Sequence, residues 1–297
     1  MRGPPHGAFP FGYACVMRIT FHGVRGSIPT PGPSTVRYGG NTVCVEARLA
    51  DGTLIVLDAG TGIRELGKQL MREKYSAPIH LLLTHGHWDH ILGLPFFAPL
   101  YRKDTHMVLH PVTALARERT RNPIIFDGQH FPVRFADLPA HIEHDETAMD
   151  LHIGSARVQH VELNHPGSSV GYRIDDDDGT SLCYLTDNEL EPPGEATTSP
   201  ADLARFAAGT SLLIHDAQYV ASDMPAKSGW GHSTVDQVLA LGKDAGAETV
   251  ALHHHDPERD DNALDAIAVD ANAWTRQHAP SMKAMVAREG MSMVLRA

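Results

Sequence analysis

Four side chains that can bind a metal ion lie within six residues of one segment, Thr84-His85-Gly86-His87-Trp88-Asp89-His90. The apolar run 79–83 precedes this segment and predicts a short buried strand. Imidazole and carboxylate groups together suit zinc, with iron or manganese as substitutes. The alternative is a polar loop with solvent-facing histidines, but so dense a group stays unpaired unless a cation holds it. We therefore predict a metal site at the end of this strand.

Later apolar runs end in the same way, in residues that can ionise. If strands of one sheet system deliver these ends to a common edge, their side chains converge, as in α/β enzymes whose binding groups lie on loops at strand ends. The residues that follow such runs are His165 after 161–163, Asp187 after 181–185, His215 and Asp216 after 211–214, and His253, His254 and His255 after 249–252. Asp58 follows the run 53–57, and we interpret it as a carboxylate that orients a histidine or holds loop amides.

Composition and charge restrict the partners. The formal net charge of -11 predicts no long nucleic acid partner, because such a partner needs clustered Lys and Arg. A small phosphate ester stays compatible, since a bound dication supplies local positive charge. No apolar run reaches membrane-spanning length, so we expect no membrane association.

The three cysteines, Cys15, Cys44 and Cys183, form neither a disulfide framework nor a thiolate metal site, which favours a reducing cytoplasm. A convincing strand begins at Met17. We therefore predict a loosely ordered N-terminal extension over residues 1–16 and a single domain over 17–297, with no low-complexity linker inside it.

Loops beside these strand ends offer candidate substrate contacts. A Gly- and Pro-rich stretch from Phe21 to Asn41 predicts a shaped pocket wall rather than a P-loop. Asn41, Ser168 and Ser169 are candidates to line the pocket, and Arg25 either touches a phosphate or braces its loop.

The run His85-Gly86-His87-Trp88-Asp89-His90 matches the His-x-His-x-Asp-His signature of the metallo-β-lactamase superfamily. The resemblance covers nearly the whole chain from Met17 and implies an α/β fold, a four-layer αββα sandwich with a two-metal site at one edge. It implies that one metal is held by His85, His87 and His165, that the second is held by Asp89, His90 and His254, and that Asp187 bridges both.

Two further motifs resemble the tRNase Z group of that superfamily. His215-Asp216-Ala217-Gln218-Tyr219 resembles its His-Glu-Ala-Thr segment, and Gly231-His232-Ser233-Thr234 resembles its Gly-His-Ser-Thr segment. A C-terminal stretch, 252–257, is similar to its Leu-Thr-His-Phe-Ser-Pro, and alignment on Pro257 makes His254 the ligand. The loops 23–29 and 38–42 resemble instead the bacterial cyclic-phosphodiesterase branch, near the phosphoribosyl cyclic phosphate enzymes. A basic, Gly/Pro-rich tRNA-binding arm is not evident, and the resemblance implies a homodimer.

The resemblance also implies a reaction. Two dications lower the pKa of a bridging water, so that hydroxide is the nucleophile. A phosphodiester expels an alkoxide, which needs a proton donor. We predict that His232 is this general acid, that Asp216 orients it, and that Asp89 is a catalytic carboxylate as well as a ligand. The expected activity is hydrolysis of a small cyclic phosphodiester, a cyclic nucleotide or cyclic sugar phosphate. The alternatives are a tRNase Z-like RNA 3′-processing endonuclease and a non-catalytic metal-binding signalling module.

Overall fold

A computed structural model of the chain describes residues 16–111, 124–129, 131–145 and 151–296. The predicted extension 1–16 lies outside the described residues except for residue 16. In the described part, strands form two sheets of seven. The first sheet has the order β14 (Ser292–Val294), β1 (Arg18–Gly23), β2 (Cys44–Arg48), β3 (Leu54–Leu57), β4 (Ile79–Leu82), β5 (His106–Leu109) and β6 (His141–His144). The second has the order β13 (Lys283–Val286), β12 (Thr249–His253), β11 (Leu212–Asp216), β10 (Ser181–Leu185), β9 (Ser169–Asp176), β8 (Ala156–Leu163) and β7 (Leu151–Ile153).

Helices cover the outer faces of both sheets. Those on the outer faces are α1 (Ile63–Glu73), α3 (Pro200–Phe206), α4 (Val235–Ala245) and α5 (Asp261–His278), while α2 (Trp88–Ile91) is a single turn after β4. The 3-10 turns are at Leu94–Phe96, Ala98–Tyr101, Ile124–Phe126, Phe135–Asp137 and Ala221–Asp223. One apolar core, with Phe21, Val45 and Tyr172, lies between the sheets. Two further cores join the first sheet to α1 and the second sheet to α3, α4 and α5. The predicted αββα sandwich is confirmed.

The direction of the strands brings the chemistry to one edge of the sandwich. Strands β3, β4, β5 and β6 run parallel to one another, as do β10, β11, β12 and β13. Parallel strands place their carboxyl ends on the same side of a sheet, where loops can carry functional residues. Asp58, His85, Asp187, Asp216 and His254 all belong to such strand ends.

Thr234 caps the start of α4. Thr234 Oγ1 accepts a hydrogen bond from the Gln237 amide, and Gln237 Oε1 accepts one from the Thr234 amide at 2.9 Å. This reciprocal pair satisfies two amides that the first helical turn leaves without partners. It also fixes the chain two residues after His232. Among the described residues, no helix combines the length and apolarity that crossing a membrane requires.

Candidate metal centre and catalytic site

The seven predicted ligands lie together at the common edge. His85, His87, His165 and Asp187 form one group whose potential ligand atoms are all within 4.8 Å of one another. A second group has the same closeness and shares Asp187 with the first; its other members are Asp89, His90 and His254. The grouping is the one that the family resemblance implies, with Asp187 between the two sets.

The chemistry of these donors fits two cations. His85 Nε2 and His90 Nε2 are buried and have no hydrogen-bond partner, although they lie 3.5 and 3.2 Å from oxygens of Asp187. An unpaired buried polar atom costs about 1–3 kcal/mol, so such atoms call for a ligand. Burial raises the pKa of Asp187, but the nearby imidazoles of His254, His90 and His85 outweigh it and hold that pKa well below its usual range. An ionised carboxylate between imidazole nitrogens with free lone pairs is a donor set suited to zinc.

Asp58 orients His90 from behind. Its carboxylate is fully buried and accepts hydrogen bonds from the Thr84 amide at 2.8 Å, from His90 Nδ1 at 2.9 Å and from the Tyr184 hydroxyl at 3.0 Å. Because Nδ1 of His90 carries the proton, its Nε2 lone pair faces the second ligand group. Asp58 therefore has the orienting role that the sequence predicts.

The other imidazoles are held in the same manner. His165 Nδ1 donates to the Gly231 carbonyl at 2.9 Å, which leaves Nε2 toward His87 Nδ1 at 3.0 Å. His254 Nδ1 donates to Gln218 Oε1 at 2.8 Å, and its Nε2 lies 3.1 Å from Asp89 Oδ2. Each ring thus turns one nitrogen to the protein and the other to the site.

The neighbours of His254 have structural roles. His253 Nε2 donates to the Gly23 carbonyl at 3.1 Å, and His255 Nε2 donates to the Ala287 carbonyl at 2.7 Å. Both imidazoles are buried. Within this triplet, His254 is the member of the described ligand groups.

His232 and Asp216 form a buried pair beside the ligands. Asp216 Oδ2 accepts hydrogen bonds from His232 Nδ1 at 3.2 Å and from the Asn188 amide at 2.7 Å, while Oδ1 accepts from the Ser233 amide at 2.9 Å. Burial alone would lower the pKa of His232, but the hydrogen bond and charge of Asp216 outweigh it, and the pKa is raised. The ring of His232 stacks on that of His254 at 4.9 Å, and Asp187, Asp216 and His232 form a third close group. The arrangement suits proton donation at His232 Nε2.

The four predicted substrate contacts differ in burial and in hydrogen bonding. Arg25 is fully buried and donates to the carbonyls of Gly39 at 2.8 Å and Arg259 at 2.6 Å, which supports loop bracing, one of its two predicted roles, over a phosphate contact. Ser169, the first residue of β9, is also buried. Asn41 is half-buried and its amide donates to Glu289 Oε1 at 2.6 Å. Ser168 alone of the four is exposed.

Sequence reasoning missed several supporting groups. The Ser27 amide donates to Asp89 Oδ2 at 2.7 Å, and a Cβ on Gly26 would lie 2.2 Å from His254 Nδ1. Glu189 accepts hydrogen bonds from the amides of Gly229 and Gly231 at 2.8 and 2.9 Å and so holds the segment before His232. The Gly-rich loop was a sequence signal that could have indicated Gly26. For Glu189 the sequence offered only its position two residues after Asp187.

Comparison with known proteins identifies the family. A family model for the β-lactamase superfamily domain matches residues 53–255, more than half of the chain. A ribonuclease Z of Haloarcula marismortui is 26% identical over 284 residues, covering 80% of this chain and 86% of that protein. The solved structure of the short form of human tRNase Z matches with a TM-score of 0.62 at 18% identity, covering 94% of this chain and all of that one. A diphosphatase of the PhnP family matches with a TM-score of 0.63 at 19% identity, covering 95% of this chain and all of that one.

These relatives correct one prediction. The net charge led us to expect no long nucleic acid partner, yet the relatives are named as ribonucleases and tRNases, so that expectation is wrong. Net charge sums the whole surface, whereas a phosphate chain is bound locally, where a cationic site can act. The matched residues include all seven ligand positions from His85 to His254. The chain therefore belongs to the metallo-β-lactamase superfamily, in its tRNase Z-like branch.

Proposed function

We propose that this chain is a metal-dependent phosphodiesterase in which His232 is the general acid. One observation carries the proposal: the buried His232–Asp216 pair, 3.2 Å apart, lies directly against the ligand groups. Hydrolysis of a lactam or thioester has less need of a second, oriented proton donor. A phosphodiester expels an alkoxide, whose departure is slow without a proton.

In this proposal, one set of residues binds the metal ions and another transfers the proton. Two divalent ions, zinc in our proposal with manganese or iron as substitutes, would make a water acidic at neutral pH and offset charge on the phosphate. The first ion would be held by His85, His87 and His165, the second by Asp89, His90 and His254, and Asp187 would contact both. The Ser27 amide keeps Asp89 in place. His232 Nε2 then gives its proton to the leaving oxygen, while Asp216 stabilises the charged imidazole at Nδ1.

The relatives favour RNA as the substrate. Curated relatives that cover 80% of this chain are named ribonuclease Z, which supports cleavage of a phosphodiester near an RNA 3′ end. A small cyclic phosphodiester, such as a cyclic nucleotide or cyclic sugar phosphate, is the second candidate. The resemblance of loops 23–29 and 38–42 to cyclic phosphodiesterases supports it.

Leaving-group dependence tests the role of His232. We expect His232→Ala to keep both metal ions and to lose about 10²- to 10⁴-fold in turnover on diesters with alkoxide leaving groups. The loss should be much smaller with a nitrophenyl leaving group, which departs without a proton. His152→Ala, at an exposed position of β7, is the control and should leave both rates unchanged. Equal losses on both substrates, or loss of metal together with activity, would refute the assignment.

A panel of substrates distinguishes between the remaining functional hypotheses. Metal-loaded protein is offered a precursor tRNA with a 3′ trailer, cyclic nucleotides, cyclic sugar phosphates and linear diesters. Cleavage of the precursor supports RNA as the substrate, and selective cleavage of a cyclic ester supports a small cyclic phosphodiester. Activity that chelator removes and zinc or manganese restores would exclude a non-catalytic metal-binding module. No turnover on any diester would contradict the proposal itself.

A further inference from the structure

Large apolar side chains lie exposed beside the metal centre. Trp88 is 72% exposed and Trp230 is 58% exposed. Trp88 stands between the ligands His87 and Asp89, and Trp230 comes two residues before His232. Single exposed apolar side chains are common on protein surfaces, but two exposed indoles next to residues of one site are suited to contact a ligand there.

A short chain of contacts links the two indoles. His87, the exposed member of its ligand group, lies 3.0 Å from His165 between ring nitrogens, and His165 donates to the Gly231 carbonyl at 2.9 Å. Trp88 and Trp230 are bonded to the two ends of this chain. Each indole therefore neighbours, along the backbone, a residue of this chain of contacts, and His87 is the exposed member of that ligand group.

A cation accompanies one of the indoles. Lys227 Nζ lies 4.2 Å from the centroid of the Trp230 ring and 5.7 Å from that of Tyr219. Tyr219 in turn makes an edge contact with the ring of His232, with 5.7 Å between centroids. A positive charge thus stands near the general acid in a protein whose net charge is -11. With the ammonium over one face of Trp230, the indole and the cation together are suited to a base on the other face and to its phosphate.

We propose that Trp88 and Trp230 stack on nucleobases next to the scissile phosphate, with Lys227 on a neighbouring phosphate, so that the enzyme selects base-bearing phosphodiesters over base-free sugar phosphates. The inference rests on the proposed phosphodiesterase function and specifies its substrate class. Every base has a π face, so such stacking tolerates any sequence.

The test compares diesters that differ only in the base. Hydrolysis is measured on a dinucleotide and on the same compound with abasic sugars. We expect Trp88→Ala and Trp230→Ala each to lose about 5- to 150-fold in kcat/KM on the dinucleotide, with no change on the abasic diester. Trp88→Phe and Trp230→Phe should retain most of the activity. Val269→Ala, an exposed apolar residue on α5, is the control.

Binding separates this inference from the proposed function. Affinity is measured with phosphorothioate-linked dinucleotides, with and without bases. If the wild type hydrolyses neither diester, the proposed function fails, but a base-dependent affinity that both alanine variants lose still supports stacking. Equal losses with and without bases, or no loss, overturn it. So does a wild-type dimer, detected by sedimentation, that both alanine variants dissociate, because the indoles would then serve self-association.

Discussion

Replacing Asp58 by Asn tests whether this carboxylate sets the tautomer of the predicted metal ligand His90. The two carboxylate oxygens of Asp58 serve different donors. Oδ1 accepts from the Thr84 amide at 2.8 Å, and Oδ2 accepts from His90 Nδ1 at 2.9 Å and from the Tyr184 hydroxyl at 3.0 Å. Asparagine has the same shape but offers one oxygen and one NH₂ group, so it cannot accept on both sides.

Either orientation of the asparagine has a cost that the structure specifies. With its oxygen toward Thr84, the NH₂ group faces His90 Nδ1, and the imidazole proton must move to Nε2, the nitrogen that faces the metal centre. Metal affinity should then fall about 10- to 100-fold, or about 1.4–2.7 kcal/mol. With its oxygen toward His90, the buried Thr84 amide is left without an acceptor, which costs about 1–3 kcal/mol of folding free energy.

Chelator competition and thermal unfolding measure the two outcomes. Asp58→Asn should show weaker binding of at least one ion, a lower Tm, or both. Asp51→Asn is the matched control, because Asp51 is exposed and accepts from the Thr53 amide in a turn. If Asp58→Asn binds both ions with wild-type affinity and unfolds at the wild-type temperature, Asp58 does not set the tautomer of His90.

Two further predictions concern other parts of the chain. Burial, aided by the nearby His80, lowers the pKa of His110 to about 4; the unfolded chain therefore binds the extra proton, and stability falls as pH drops from about 6.5 toward 4. This pKa shift corresponds to about 3 kcal/mol. Urea unfolding should therefore show that the free energy of unfolding changes less between pH 6.5 and pH 4 in His110→Gln than in the wild type, by about that amount. An equal change in both proteins would contradict the prediction. At Gly231, an added Cβ would lie 2.2 Å from His165 Nδ1, so Gly231→Ala should reduce metal content, measured by elemental analysis. Gly290→Ala has a similar positive φ with open space, and metal loss there too would show that strain alone is responsible.

The sequence was informative where function is carried by residue type. The four donors between His85 and His90 are adjacent in the chain, and the later ligands follow apolar runs, so their convergence needs only a common sheet edge. The cap at Thr234 was predictable for the same reason, because its partner lies three residues away. Local patterns of this kind survive folding unchanged.

Contacts between distant segments were not predictable from pattern. Ser27 and Asp89 are 62 residues apart, and Arg25 reaches a carbonyl 234 residues further on. A loop arginine beside a candidate phosphate site has the same sequence signature whether it faces solvent or is buried against carbonyls. The net charge misled for a related reason: it carries no information on where charges lie.

Backbone strain at the site lies at residues that directly follow strands. Asp58, Asp187 and His254 have φ values of 60°, 60° and 58°, a left-handed conformation that costs a non-glycine residue about 1–3 kcal/mol. Each follows a strand in a parallel half of a sheet; Asp187 and His254 belong to one ligand group, and Asp58 accepts a hydrogen bond from His90 of that group. Glycine would relieve the strain but has no side chain to bind a metal ion or to orient a histidine. The packed sheets hold these residues in place, so the sandwich stabilises a site that its own local preferences oppose.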